Sequence, residues 1–329
     1  MVQEDTYQRS ALPCIPEALF PTCLLTNISP VSTDEDGQFH PKEPPYKYSH
    51  LANRLSIPAH PILRLQFSLQ MSTMSDVSGK VCLITGAAGG LGKVIAEAFI
   101  LAKAKTVIVD IDPERLRTTE KELSVHGDVL ALNVDVTNED AVKGMVLSTL
   151  ERFGKLDALI NNAARPDLFD GVATLEKGLW DKVIALNLTG PYLTCKYAVE
   201  HFLSRDPTGG VIVNIASIGG MRGGNCGAAY IASKHGVIGL TRNTAVWYGK
   251  QGVRCNAVMP SSMMTLAKEL YMTSNVNEAG KAISMSTNAL DVGFIDQKKV
   301  AATVRFLCSD DAGAINGTTV ATDNGYLAK

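Results

Sequence analysis

The chain of 329 residues is long for one domain and short for two. It is 46% apolar and 19% charged with a formal net charge of −2, a globular composition without the basic excess that nucleic acid or an anionic membrane surface calls for. No apolar run reaches the ~18–20 residues of a transmembrane helix, and seven scattered cysteines without Cys-x-x-Cys spacing read as free thiols of a reducing compartment, the cytoplasm, rather than a disulfide frame or a metal site.

Residues 1–73 differ from the rest. They hold 9 of the 14 prolines and 1 of the 28 glycines, and they show no sustained period of 2 or 3.6. Pro44-Pro45 and the acidic run Asp34-Glu35-Asp36 resist a packed core, so a disordered or loosely attached extension is expected, followed by one folded domain over 74–329. Glu4 and Asp5 argue against a mitochondrial presequence. Met71 and Met74 stand just before the globular pattern, and the functional protein is expected to start at one of them.

From Lys80 strands and helices alternate. Val81 to Thr85 is a continuous apolar strand. Gly86 to Gly92 is a glycine-rich turn running into a helix through Val94, Ile95, Ala98 and Phe99. Thr106 to Asp110 is the second strand, and Asp112-Pro113 is an N-cap followed by proline at the first helical position. Val129 to Asp135 is the third strand, with a helix from about Asn138. Ala158 to Asn161 is the fourth, followed by a long helix carrying Trp180, Val183, Leu186 and Asn187. Strands ending at Ser217, at Met259 and at Thr322 complete the set. Repeated βα units with near-continuous apolar strands predict a parallel sheet covered on both faces.

Ser217 ends the fifth strand, a loop with five glycines follows, and a helical pattern opens near Ala228. Tyr230 and Lys234, four residues apart, share one face of that helix. A hydroxyl, a phenol and an ammonium can therefore converge. A free phenol has a pKa of about 10, and a nearby cation lowers it. Ser217 can hold a substrate oxygen while Tyr230 takes or gives its proton, which is general acid–base catalysis on an alcohol or ketone. Tyr-x-x-x-Lys alone is a weak signal and occurs twice. Tyr192 and Lys196 form the other pair, which lacks a strand-end serine before it and reads as a helix surface or subunit contact.

In the glycine turn, Thr85-Gly86-x-x-x-Gly90-Leu91-Gly92 lets backbone N–H groups approach a pyrophosphate at the positive end of a helix. Its spacing is not Gly-x-Gly-x-x-Gly. Asp110 at the end of strand two can accept hydrogen bonds from the ribose hydroxyls of an adenosine, or it can be a turn aspartate. Asp135-Val136 lies where an adenine edge would fall, and Asn161-Asn162-Ala163-Ala164 ends strand four. Asn187 taken alone is a surface or backbone-bonding asparagine.

Taken together, these residues in this order resemble the short-chain dehydrogenase/reductase family, the branch of about 250 residues, from about Gly79 to Tyr326. The resemblance implies one doubly wound, Rossmann-type α/β domain with a seven-stranded parallel sheet. It implies a catalytic set of Asn187, Ser217, Tyr230 and Lys234. Asn187 holds a water linked to Lys234, and Lys234 holds the nicotinamide ribose. Asn256 to Pro260 matches the family's sixth strand, with Thr265 at the position that contacts the nicotinamide amide. A homodimer or homotetramer is also implied, with the helices carrying Asn187 and Tyr230 at the interface. Ala164, Ser261 and Asn324 stand where glycine is usual. Ser261 could crowd the nicotinamide or add a hydrogen bond.

The expected function is NAD(P)-dependent interconversion of a secondary alcohol and a ketone, with no metal. NAD is expected over NADP, because the Asp110 carboxylate would repel a 2′-phosphate and no basic residue stands in the turn or directly after strand two. The alternative is a nucleotide-binding relative with a scaffold, isomerase or regulatory role. The substrate is expected to be apolar, a terpenoid, alicyclic or polyketide alcohol of secondary metabolism. Met263, Met264, Leu266, Leu270, Tyr271, Met272 and, further on, Met285 follow Pro260 in the family's lid region, and Met221 and Asn225 are placed on the opposite wall. The alternative is that these methionines pack against the sheet.

Overall fold

Val81 and Leu83 point to one side of strand β1 (Val81–Thr85), Cys82 and Ile84 to the other, and all four are fully buried. A strand apolar on both faces needs a layer on each side. The structure, a computed structural model, describes residues 75–263, 271, 274–287 and 293–328. The extension over 1–73, Met264, Thr265, Leu266, Leu270 and Met272 lie outside the described residues.

Six further strands join β1: β2 (Lys105–Asp110), β3 (Val129–Asn133), β4 (Ala158–Asn161), β5 (Gly210–Ile215), β6 (Val253–Pro260) and β7 (Thr319–Thr322). They form one seven-stranded sheet in the order β3-β2-β1-β4-β5-β6-β7, parallel at every pairing. This is the predicted doubly wound Rossmann-type architecture. One face packs on helices α1 (Gly90–Leu101), α2 (Pro113–Ser124) and α8 (Gln297–Cys308), through Ile95, Phe99, Leu116, Val304 and Leu307. The other packs on α3 (Glu139–Phe153), α5 (Gly190–Ser204) and α6 (Ala228–Tyr248), through Val142, Met145, Leu193, Phe202 and Ala245. β1 pairs with β2 on one side and β4 on the other. The chain therefore reverses direction across the sheet there, and a crevice opens beyond the carboxyl ends of these strands.

Two elements differ from the sequence expectation. β3 stops at Asn133 rather than Asp135, because its partner β2 ends at Asp110, opposite Asn133. Asp135 instead turns the chain, its Oδ1 accepting from Thr137 N and Thr137 Oγ1 ahead of α3. The expected long helix around Asn187 is in three parts. α4 (Lys177–Ile184) passes through a π-helical turn, Ala185–Thr189, into α5. π-Turns inside helices recur at functional sites, and Asn187 lies in this one.

Candidate active site

The glycine turn after β1 is clamped onto the end of β4. Thr85 Oγ1 accepts from Asn162 N and Ala163 N, both at 3.0 Å. Asn162 Nδ2 donates back to Thr85 O and Gly86 O, both at 3.0 Å. A Cβ on Gly86 would sit 2.8 Å from Ala163 Cα, and one on Gly92 would strike the Gly86 carbonyl oxygen and lie 2.6 Å from Asn162 Nδ2. Only glycine permits this approach. Thr85 and Gly92 therefore brace the turn from behind, while Gly86, Gly90 and Leu91 face a cavity of about 1400 Å³. No side chain caps α1, so the first N–H groups of its helical turn are left for another acceptor.

Asp110 lines the same cavity at the end of β2. Its Oδ2 accepts from Ala88 N at 3.0 Å and its Oδ1 from Asp112 N at 3.1 Å. The carboxylate is thus locked against the glycine turn. The capping role falls to Asp112, which accepts from Glu114 N and Arg115 N. Asp135, Val136, Asn162, Ala163 and Pro260 also line the cavity.

Ser217, Tyr230 and Lys234 meet in the cavity wall. Ser217 follows β5 and its hydroxyl accepts from Gly219 N, which closes a short turn, Ile218–Gly220. The Ser217 hydroxyl favours ionisation of the Tyr230 phenol. Lys234 is 3% exposed; its Nζ donates to Ile215 O at 2.7 Å and stands 5.6 Å from the centre of the Tyr230 ring. Burial pulls the ammonium down to about 8. Burial foremost, then the Cys226 thiol, pushes the phenol well up; the Ser217 hydroxyl opposes that rise and the Asp167 carboxylate adds to it.

Asn187 is buried behind the wall. Its Oδ1 accepts from Arg165 N, and its Nδ2 donates to Arg165 O and Ser233 Oγ. It ties the loop after β4 to the helix carrying Tyr230. The second tyrosine–lysine pair is a surface feature, since Tyr192 is 50% exposed and Lys196 is bound to Glu139 at 2.7 Å.

The sequence reading missed the loop after β4. Asp167 is fully buried beside the amino end of α6, and Cys226 and Phe169 line the cavity next to it, together with Tyr271 of the expected lid segment. Arg165 and Lys182 line it too. The loop residues belong to no periodic pattern; Pro166-Asp167 reads as an ordinary loop, and only the placement of β4 beside β5 brings it under Tyr230.

Of the substrate-wall residues, Met263 and Asn225 line the cavity. Asn225 Nδ2 donates to Tyr326 Oη at 2.6 Å. Met221 does not line it and is a correction. The turn before it presses Gly220 against Ile238 and the Lys234 carbonyl, leaving Met221 50% exposed. Met285 and Phe294 supply further apolar wall. Ser261 also lines the cavity, its Oγ buried without a hydrogen-bond partner among the described residues.

A family model described as enoyl-(acyl carrier protein) reductase, from the short-chain dehydrogenase group, matches residues 86–327. A short chain dehydrogenase/reductase of Colletotrichum higginsianum, dpchG, is 40% identical over 257 residues, 77% of this chain and 96% of that one. 3beta-Hydroxysteroid dehydrogenase 2 of Eggerthella lenta is 36% identical over 253 residues, 77% and 96% of the two chains. The crystal structure of carveol dehydrogenase from Mycobacterium avium in complex with NAD superposes with a TM-score of 0.69 at 32% identity, covering 77% of this chain and 99% of that one. Matches of this extent, on a chain whose glycine turn, strand-end serine and Tyr-x-x-x-Lys helix share one cavity, show that this protein belongs to the short-chain dehydrogenase/reductase family, nicotinamide-dependent oxidoreductases of alcohols and ketones.

Proposed function

We propose that the protein interconverts a secondary alcohol and a ketone on a largely apolar small molecule, with Tyr230 giving or taking the proton. The observation that carries this reading is the convergence of Ser217, Tyr230 and Lys234 in a cavity that also contains the glycine turn and Asp110. Ser217 orients the substrate oxygen. Tyr230, raised in pKa by its surroundings, is a phenol near neutral pH and is ready to donate to a ketone oxygen. Lys234, its ammonium 5.6 Å from the centre of the Tyr230 ring, favours the phenolate when the proton leaves and would hold the nicotinamide ribose.

The residues fit a nicotinamide dinucleotide. The turn is so close to the Asn162 strap that no side chain could fill it at Gly86 or Gly92, and the orphaned Ser261 hydroxyl is available to a polar ligand. Gly86, Gly90 and Leu91 would hold the pyrophosphate, Asp110 the adenosine ribose, and Asp135 and Val136 the adenine. Asn162, Ala163, Tyr230, Lys234, Pro260 and Thr265 would hold the nicotinamide half. Bound there, the cofactor supplies the hydride. NAD fits better than NADP. The nearest cations on α2 are paired, Arg115 with Asp112 and Arg117 with Glu114.

Met263, Met285, Phe294 and Phe169 give the cavity an apolar wall. The activities in the relatives' names, on 3beta-hydroxysteroids and carveol, support an alicyclic or terpenoid alcohol. Five described cysteines are free, which suits the cytoplasm. The protein assembles as a homodimer or homotetramer, a reading that rests on apolar side chains exposed on α5 and α6.

Tyr230→Phe tests the reading. It removes the acid–base oxygen alone, so cofactor binding survives and turnover falls ~10²–10⁴-fold. Turnover is followed by nicotinamide absorbance against a panel of secondary alcohols and ketones. Near-full activity in Tyr230→Phe with loss in Tyr192→Phe would mean the wrong tyrosine has been chosen.

A further inference from the structure

We infer that Asn225 is a second polar anchor for the substrate: its side-chain carbonyl accepts from a hydroxyl away from the reacting carbon, so the preferred substrate is a diol or a hydroxyketone rather than a simple alcohol or ketone. The inference deepens the proposed alcohol–ketone reading and rests on it for the reacting oxygen.

Asn225 stands in the loop before α6, five residues ahead of Tyr230, and both line the cavity. Five residues span at most ~18 Å, which keeps the two within reach of one small molecule. Three parts of the chain meet at Asn225. Its Nδ2 donates to Tyr326 Oη at 2.6 Å and to Thr287 Oγ1 at 3.5 Å. Thr287 is the C-cap of α7 (Glu278–Ser286), whose Ser284 and Met285 line the cavity. Tyr326 is 3% exposed and sits in a turn after β7, where Asp323 accepts from Gly325 N and Leu327 N. A Cβ on Gly224 would lie 2.6 Å from Thr287 Cγ2, so the glycine before Asn225 is what lets Thr287 come in.

The protons in this cluster run one way. Thr287 Oγ1 donates to Ser284 O at 2.7 Å, so in its 3.0 Å contact with Tyr326 Oη it is the acceptor and the phenol the donor. The phenol oxygen in turn accepts from the Asn225 amide. The Asn225 nitrogen is thereby committed, and its Oδ1 is buried with no hydrogen-bond partner among the described residues. A buried acceptor left without a donor costs free energy, which a ligand that brings the donor returns. The apolar side chains of the cavity, Met263, Met285 and Phe294, have none to offer. The donor is a neutral one, because the Arg222 guanidinium stands 6.0 Å from the centre of the Tyr326 ring and disfavours an ammonium there. A second carbonyl or an ether oxygen has no proton to give. A hydroxyl meets both conditions.

Binding and turnover test this separately. The cofactor-loaded protein is given matched alicyclic alcohols that differ by one hydroxyl, cyclohexanol against cyclohexanediol and androstanol against androstanediol. Thermal stabilisation by each compound reads binding without turnover, and nicotinamide absorbance reads kcat/KM. The dihydroxylated member of a pair should be favoured about tenfold in both readouts. Asn225→Leu should abolish that preference, and Asn225→Ala repeats the comparison where leucine does not fold. Tyr326→Phe takes away the bond that anchors Asn225 but keeps the acceptor, so it should lower the melting temperature as Asn225→Leu does and retain the preference. Pairs treated alike by wild type, bound or not, overturn the inference. So does a preference that survives in the Asn225 variants or one lost equally in Tyr326→Phe. Selective binding without turnover in wild type would keep the anchor and remove instead the acid–base reading on which the reacting oxygen rests.

Discussion

Burial takes water from the Lys234 ammonium and pulls its pKa from 10.5 down to about 8. Below about pH 8 both the folded and unfolded chains carry this proton, and the cost of burying the charge is present in full. Between about 8 and 10.5 the unfolded chain binds more protons than the native one, so stability rises with pH and the cost fades. A shift of this size corresponds to roughly 3 kcal/mol at neutral pH. Lys234→Met removes that cost but leaves Ile215 O without its donor, which takes back ~1 kcal/mol. The variant should therefore melt higher than wild type at pH 7, with a smaller margin at pH 9.5, while losing turnover. A lower midpoint at both values would show that the amine contributes more by bonding than it costs by burial. Asp110 carries the other prediction at this scale. A charge pair about 4 Å apart at an effective dielectric near 20 interacts by roughly 4 kcal/mol before screening, and even a quarter of that favours NAD several-fold. Asp110→Ala should narrow the NAD/NADP ratio of kcat/KM. A preference for NADP left unchanged by the substitution would take the discrimination away from Asp110.

At the level of elements, the glycine turn and α3 make a matched pair. A methyl at Gly92 meets the Gly86 carbonyl and Asn162, all held by the Thr85 strap, so Gly92→Ala should destabilise by about 1–3 kcal/mol and weaken cofactor binding at least tenfold. Gly144 lies inside α3, where an added methyl would meet nothing within 4 Å, so Gly144→Ala should instead stabilise by about 0.5–1 kcal/mol and leave kinetics alone. Thermal melts and cofactor titration of both variants check this; equal effects would mean that the close packing at Gly92 is not what matters. The strands and the turn are readable from sequence because they rest on local signals: apolar runs, an N-cap aspartate before proline, glycines after a strand. The π-turn around Asn187 is not, since a helix widened by one residue keeps nearly the same apolar pattern over a short span. Nor is Asp167, whose four contacts come from backbone and thiol groups 2 to 63 residues away in the chain. Met221 fails for a related reason. Its position depends on how tightly Gly220 packs on α6, which no spacing encodes.

Across the whole molecule, the sheet buries its faces on helices, and what remains exposed on those helices says where another copy can sit. Val246 is 79% exposed and Trp247 69% exposed near the carboxyl end of α6, and Tyr192 stands 50% exposed on α5. Large apolar side chains this exposed mark an association surface when they fall on neighbouring elements, and α5 and α6 cover the same face of the sheet. A net charge of −2 sets little repulsion against pairing. Light scattering should therefore give a mass of two or four times 35.2 kDa. Trp247→Glu should shift that mass toward the monomer, because burying an unpaired carboxylate costs more than the contact returns. The cavity is built from one chain, with Ser217, Tyr230, Lys234 and the glycine turn all in its wall. The dissociated variant should therefore keep much of its turnover per site while losing thermal stability. A wild-type chain that stays monomeric at micromolar concentration would leave Trp247 without this role, and a Trp247→Glu monomer with no turnover would show that assembly, rather than the single chain, completes the site.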